Sequence, residues 1–191
     1  MPTVSHAKQQ APAGTIFTIG HSTHPIAEFI GILQAYAIET LVDIRSIPGS
    51  RHNPQFFQKA LAESLEAHGI AYLHMKTLGG LRRAIPDSPN QGWRNASFRG
   101  YADYMQTVEF QQAVQELIAL ASASRIAIMC AEAVPWRCHR SLVGDALLAR
   151  GVVVEDILSA RTCTLHQLTK FAEVHGLQIL YPPIQSESAP S

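Results

Sequence analysis

The sequence lacks the features that would assign it to several specialised classes of protein. Its 191 residues carry 15 basic and 15 acidic side chains, so the formal net charge is zero and gives no overall attraction to nucleic acid. Its apolar runs are too short to span a bilayer, and the first residues, MPTVSHAKQQAPAG, lack the hydrophobic core of a signal peptide. We therefore expect a cytoplasmic protein with no membrane partner.

Cysteine is scarce as well. Three cysteines in a chain of this length do not indicate a disulfide framework. His21, Cys130, Cys138 and His139 could be metal ligands, but the chain contains no C-x-x-C or H-x-x-x-H pair, and nearby arginines would repel a cation. The sequence therefore predicts neither a metal ion nor another cofactor.

What is present describes one globular domain. Hydrophobic residues make up 47% of the chain and charged residues 16%, which is typical of a chain that buries a core. Residues 1–13 and 184–191 are polar and are predicted to be disordered tails. We expect residues 14–183 to form a single domain.

Strands and helices alternate along that domain. Short apolar runs predict strands at residues 15–19, 40–44, 70–74, 126–130 and 152–157, with an edge strand at 178–181. Helical spacing predicts helices after Pro25, after Asn53, at 101–105, at 109–121 and after His139. Thr164-x-x-Gln167 resembles a capping box and predicts a last helix that ends near Gly176.

This alternation predicts the α/β class: a mostly parallel sheet of about five or six strands, with helices on both faces. Ligands of such sheets bind beyond the carboxyl ends of the strands. Of the fifteen acidic residues, only Asp87 and Glu132 fall in the predicted strand-exit loops. Nine of the fifteen basic residues fall there: Arg45, Arg51, Lys76, Arg82, Arg83, Arg94, Arg99, Arg137 and Arg140. We therefore expect an anion-binding cleft at this edge.

The strongest chemical signal is the stretch from the strand at 126–130 into the helix that follows. Cys130 ends the strand and is either a nucleophile, activated by arginines and a helix N-terminus, or a small core residue. Glu132 is either a general acid or base or a cap of the helix. Arg137, His139 and Arg140 are expected to bind the anion.

Residues from other loops complete the predicted site. His21 follows Gly20 at the end of the first strand and is the favoured general acid or base. Arg45 and Arg51 either bind a phosphate or carboxylate or form bonds within their loop. Trp93 lies in a long irregular segment, Arg82–Ser97, that we expect to be a mobile lid, and it would close over the ligand.

Several motifs carry a family resemblance. TIGHS, VDIRSIPGSR, LGG, F-x-x-Y-x-x-YM and CAE-x-x-P-x-x-CHR resemble the bacterial and archaeal family catalogued as domain of unknown function 488, over about Ile16 to Tyr181. The resemblance implies an α/β fold and brings no established reaction. The arrangement is also distantly similar to rhodanese-like and cysteine-phosphatase domains, although six residues separate Cys130 from Arg137 and the loop has no glycine.

These observations favour an enzyme that acts on a phosphorylated or otherwise anionic substrate, with nucleotides and nucleic acids included. The alternative is a nucleic-acid or nucleotide binding module without chemistry. The sequence leaves open which of the two applies, and it does not indicate the oligomeric state.

Overall fold

A computed structural model describes residues 14–49 and 52–183. Arg51 and the two predicted tails lie outside these ranges. The main sheet has six strands, which in chain order, from β1 to β6, span Ile16–Gly20, Thr40–Asp43, Ala71–His74, Ile126–Cys130, Val154–Ser159 and Thr162–Leu165.

The six strands lie in the order β3-β2-β4-β1-β5-β6. All neighbouring pairs are parallel except β5 and β6, which form an antiparallel pair at one side of the sheet. The predicted mostly parallel α/β sheet is therefore confirmed.

Helices cover both faces of the sheet. The α-helices of the described chain, α1 to α5, span Ile26–Ala35, Gln58–Glu66, Ala96–Tyr104, Val108–Ala123 and Arg140–Leu148. Because side chains alternate along a strand, β4 contributes Ala127 and Met129 to the core under α1 and α2, and Ile126, Ile128 and Cys130 to the core under α4 and α5. Cys130 thus faces the side on which α5 packs.

Local sequence signals explain several element ends. Thr107 caps α4 by accepting a hydrogen bond from the N–H of Phe110, and Asn95 caps α3 in the same way through Ser97. Gly151 follows α5 with a φ of +73°, a left-handed conformation that favours glycine. None of the helices in the described ranges has the length and apolar composition needed to cross a membrane.

The predicted helix from Thr164 to Gly176 is wrong. Thr164 instead lies in β6, opposite Asp156 of β5, and the chain then forms a hairpin of two short strands, β7 (Glu173–His175) and β8 (Gln178–Leu180). Gly176 has a φ of +64° and is the first residue of the hairpin turn, a position that glycine also favours. The capping-box pattern was outweighed by strand pairing, and β8 pairs with β7 rather than with the main sheet.

The segment that was predicted to be a mobile lid is held by a buried carboxylate. Asp103 of α3 accepts hydrogen bonds from the N–H of Ile85, the hydroxyl of Ser88 and the side-chain amide of Asn90, at 2.9, 2.5 and 2.8 Å. Ser88 and Asn90 are buried, and the amide oxygen of Asn90 accepts from the N–H of Tyr181. These contacts favour a fixed segment over one that opens at low cost.

Candidate functional site

The candidate site lies at the carboxyl edge of the sheet, where neighbouring strands send the chain to opposite faces. β1 and β2 continue into α1 and α2 on one face, whereas β4, which lies between them, continues into α5 on the other. In open α/β sheets, ligands bind beyond the carboxyl ends of strands whose exits diverge in this way.

Four of the predicted site residues meet at this edge. Gly20 is paired with Cys130, and the N–H of His21 donates to the carbonyl of Cys130 at 2.9 Å. Arg45 Nη1 lies 3.3 Å from His21 Nε2. Arg140 packs against Gly20, where a Cβ atom would come within 2.9 Å of Nη1. His21, Arg45, Cys130 and Arg140 therefore share one edge, although they belong to three separate strand exits.

His21 is buried and both of its ring nitrogens are engaged. Arg45 can only donate, so His21 Nε2 accepts, and the ring proton lies on Nδ1, which donates to the carbonyl of Ser22 at 2.8 Å. Burial lowers the pKa of His21 to about 4, and the nearby Arg45 adds to this effect. The ring also stacks on Phe56, with the centroids 4.2 Å apart. In this arrangement His21 is a neutral structural group, and neither nitrogen is free to take a substrate proton.

Arg45 is held within its own loop. Its Nε and Nη2 atoms form a two-point ion pair with Asp43, and Nη2 also donates to the carbonyl of Phe56 at 2.9 Å. Tyr72 donates to the same carboxylate at 2.8 Å. The charges of Arg45 and Asp43 compensate each other in the interior. Of the two roles considered for Arg45, these contacts match bonds within its own loop.

Cys130 and Cys138 are paired. The chain leaves β4, passes through a 3₁₀ turn at Pro135–Arg137 and returns so that the two sulfurs lie within bonding distance, as a disulfide. Both residues are buried. Cys138 Sγ also accepts the N–H of Arg140, at 3.4 Å, in the first turn of α5. A sulfur in this pair is not a nucleophile until the bond is reduced. The pairing corrects the expectation from the sequence, in which three cysteines do not indicate a disulfide framework.

His139 lies beside the two sulfurs. Its Nδ1 is 3.6 Å from Cys138 Sγ, and its Nε2 is 3.1 Å from the carbonyl of Ile44. One ligand atom from each of Cys130, Cys138 and His139 lies within 4.8 Å of the others. Burial lowers the pKa of His139 to about 4. The LGG motif has a role here, because a Cβ atom on Gly80 would overlap the His139 ring.

Arg140 is the most deeply buried cation of the edge, with 1% of its surface exposed. Its guanidinium donates to the carbonyls of Glu132 and Ala133 at 3.3 and 3.4 Å, and its Nε has no hydrogen-bond partner among the described residues. Burial lowers the pKa of Arg140 to about 10, whereas the charges of Asp156 and Glu132 act in the opposite direction. Within the described ranges, no carboxylate lies at ion-pair distance from this group.

The loop between β4 and α5 is exposed at its tip. Glu132 and Arg137, both predicted site residues, have exposed side chains, and Trp136 is 65% exposed. Sequence reasoning gave no role to Trp136, although a tryptophan in a loop next to an arginine is a recognisable signal for stacking on a ligand.

Trp93 lies in a different environment. Its ring packs against Phe98, Phe171 and Tyr181, with centroid separations of 4.8, 4.9 and 5.5 Å. This aromatic cluster joins the segment before α3 to the C-terminal hairpin, and Trp93 is a partly buried residue that packs against the core.

A second buried polar cluster lies deeper along α5 and was missed in the sequence. His166 Nδ1 bonds Asp156 at 2.9 Å, and His166 Nε2 bonds Asp145 at 3.2 Å. Burial disfavours the charged imidazole, but the bonds to the two carboxylates outweigh it and raise the pKa of His166 to about 9. Tyr181 and the N–H of Thr169 also donate to Asp145. The sequence signal for this cluster is Asp145 itself, because an acidic residue within the apolar helix SLVGDALL needs a buried polar partner.

Comparison with known proteins identifies a family. The family model described as domain of unknown function DUF488 matches residues 25–147, more than half of the chain. The match includes Cys130 and Arg140 but neither His21 nor His166. No curated protein and no solved structure matches the chain. The resemblance seen in the sequence motifs is thus confirmed, and the chain belongs to the family of proteins that share the domain of unknown function DUF488.

Proposed function

We propose that this protein binds an anionic ligand at the carboxyl edge of the sheet, between the β1, β2 and β4 exits, and that it is an enzyme acting on a phosphorylated or otherwise anionic substrate. The observation that carries the proposal is Arg140, a guanidinium with 1% of its surface exposed and without a carboxylate at ion-pair distance in the described chain. A buried cation of this kind favours an anion at its unsatisfied N–H groups.

The bonds of Arg140 to protein atoms are long. Its two carbonyl contacts, at 3.3 and 3.4 Å, exceed the usual 2.7–3.2 Å range of N–H···O bonds, and Nε donates to no atom of the described residues. Desolvating a charged group costs several kcal/mol unless it is well compensated. A phosphate or carboxylate would accept two parallel N–H bonds from the guanidinium and offset that cost.

The reacting group in this proposal is the sulfur pair. After reduction by an added dithiol, Cys130 and Cys138 would present thiols at the end of β4 and just before α5, and the backbone N–H of Arg140 would stabilise a thiolate on Cys138. Glu132, exposed on the same loop, is the remaining candidate for proton transfer, since both nitrogens of His21 are engaged.

Anion binding is tested by titrating the reduced, folded protein with inorganic phosphate and with a nucleoside monophosphate, using calorimetry. Replacing Arg140 with Met removes the charge and retains volume, and we expect affinity to fall by roughly 10- to 100-fold, the loss of one charge-assisted contact. Lys170→Ala is the matched control, because Lys170 is exposed and follows β6, which runs away from the carboxyl edge.

Equal affinity in the Arg140→Met variant and the wild type, with unchanged circular dichroism, would contradict the proposal. If that variant does not fold, Arg137→Ala supplies a second measurement. Arg137 is exposed, so its removal should leave the fold intact and should weaken phosphate binding less than the loss of Arg140.

The second candidate function is a nucleotide or nucleic-acid binding module without chemistry. Trp136 favours it, because an aromatic side chain that is 65% exposed beside an exposed arginine is suited to stacking on a base. A single-stranded oligonucleotide would then bind with an affinity that falls steeply as salt increases, and Trp136→Ala would weaken it. Binding of phosphate but not of the oligonucleotide would reject this candidate and leave the first.

A further inference from the structure

We propose that the cluster of Cys130, Cys138 and His139, in its reduced form, is a three-ligand site for a thiophilic metal ion, with Zn²⁺ as the best match. The metal would be held by two thiolates and one imidazole at the carboxyl end of β4, with a fourth position left for water or a substrate. This site shares Cys130 and Cys138 with the proposed function but does not use the guanidinium of Arg140, so metal binding and anion binding can be tested separately.

The orientation of the imidazole carries the inference. His139 Nε2 lies 3.1 Å from the carbonyl of Ile44, which can only accept, so the neutral ring satisfies this contact when its proton resides on Nε2. Nδ1 of the neutral ring then holds a lone pair, and Nδ1 is the atom that faces Cys138 Sγ at 3.6 Å. A disulfide makes no use of such an imidazole, whereas metal-binding histidines regularly donate their other N–H to a backbone carbonyl.

The surrounding backbone supports the same arrangement. The ligand atoms of the three residues lie within 4.8 Å of one another, and a small movement of the sulfurs would place them around one ion at bond lengths of about 2.0–2.3 Å. The N–H of Arg140 donates to Cys138 Sγ, which would stabilise a metal-bound thiolate. Gly80 leaves the space that the imidazole ring occupies.

The charges balance around such an ion. Two thiolates neutralise the charge of a divalent cation. The complete site is therefore not repelled by the nearby arginines, which were one reason for expecting no metal from the sequence. Loading would release the two thiol protons and requires a preceding two-electron reduction of the Cys130–Cys138 bond by an added dithiol or phosphine reductant. His21, the fourth residue considered as a ligand in the sequence, is bound to Arg45 and Ser22 instead.

The test uses Co²⁺ as a spectroscopic probe and Zn²⁺ in competition with a chromophoric chelator. The full chain is reduced, freed of metal and kept without oxygen. We expect stoichiometric Co²⁺ binding with thiolate charge-transfer absorption, displaced by Zn²⁺. Cys138→Ser and His139→Ala should lower the Zn²⁺ affinity by more than the roughly 10- to 100-fold that loss of an outer-shell partner costs. Cys163→Ser is the matched control and should bind like the wild type, since Cys163 lies on β6, three strands away from β4, and bonds Glu155.

The outcomes separate the alternatives. Absence of thiolate-to-Co²⁺ absorption in the fully reduced wild type would overturn the inference and leave a disulfide as the role of the pair. Binding that persists in His139→Ala would also overturn it, because the imidazole would then be no ligand. If a variant is unfolded by circular dichroism, mass analysis of Zn²⁺ bound to the native wild type before and after alkylation of its thiols decides the question. Phosphate titration of the metal-free protein reports on the anion site and not on the metal site, so failure of either proposal is visible separately.

Discussion

Replacing His166 with glutamine should remove a pH-dependent part of the stability of this fold. The imidazole lies between Asp145 of α5 and Asp156 of β5, at 3.2 and 2.9 Å, and only 5% of its side chain is exposed. It thereby joins the edge of the sheet to the helix that carries the candidate site. Glutamine is neutral at every pH and cannot supply the positive charge that these two carboxylates share.

The size of the effect follows from the pKa of His166. The pKa is raised from 6.5 to about 9, because the bonds to the carboxylates outweigh the cost of burial. Below about pH 6.5 the imidazole is protonated in both the folded and the unfolded chain, so its stabilising contribution is fully present. As the pH rises towards 9 the folded chain holds the extra proton, and the free energy of unfolding falls by roughly 1.4 kcal/mol per pH unit, or about 3 kcal/mol in all.

The assay is urea unfolding of the wild type and of His166→Gln at several values between about pH 6 and 10. We expect the variant to be less stable by roughly 3 kcal/mol at the acidic end, with the two proteins converging above about pH 9. Taking the difference between the proteins cancels groups that titrate equally in both, such as surface histidines and lysines. Circular dichroism gives the folded fraction without depending on either tryptophan.

Two results would refute this reasoning. A stability difference that stays constant across the pH range would show that His166 acts through packing and not through its charge. A difference that grows with pH would mean that the imidazole is buried in its neutral form, the opposite sign from the one worked out here.

Three further predictions concern single residues. Asp43→Asn should lower the free energy of unfolding by roughly 3–5 kcal/mol in urea, because it leaves a buried guanidinium without its charge partner; a loss below about 1 kcal/mol would contradict this. Cys163 should resist iodoacetamide at neutral pH until the chain is denatured, since burial raises its pKa to about 12; fast labelling of the native protein would be the contrary result. Gly80→Ala should lower the melting temperature because its Cβ would overlap the His139 ring, whereas Gly31→Ala, which meets no atom within 4 Å, should not; equal melting temperatures would refute the role of Gly80.

The elements of the sheet were predictable because their signals are local and periodic. The run IAIMC is short, apolar and fully buried as β4, and Leu142, Val143, Ala146 and Leu147 mark the inner face of α5. The helix predicted from Thr164 failed for the converse reason. Its capping-box pattern is local, whereas the pairing of Thr164 with Asp156 depends on a neighbouring strand that the pattern does not describe.

The candidate site was predictable at the level of the edge but not of its contacts. Parallel strands place their exits together, so His21, Arg45 and Cys130 were expected at one edge. Whether each arginine was paired could not be predicted, because Arg45 and Arg140 are chemically alike and differ only in their surroundings. A carboxylate two residues away compensates the charge of Arg45, while the guanidinium of Arg140 contacts two backbone carbonyls. The approach of Cys138 to Cys130 likewise depends on the turn between them, which has no periodic pattern.

The His166 cluster and the candidate site are mechanically connected through α5. Asp145 lies five residues after Arg140 in the same helix, about 7.5 Å along its axis at 1.5 Å per residue. The first turn of α5 follows directly from Cys138 and His139, so any displacement of the helix would move these two residues relative to Cys130 on β4. His166 bonds Asp145 of α5 to Asp156 of β5 and so limits movement of the helix relative to the sheet. This restraint extends to β4, because β5 pairs with β1 and β1 pairs with β4. The charged imidazole therefore stabilises the geometry of the sulfur–imidazole cluster as well as the fold, and His166→Gln should weaken Co²⁺ binding by the reduced protein more at about pH 7 than near pH 9, where the wild-type imidazole also loses its charge.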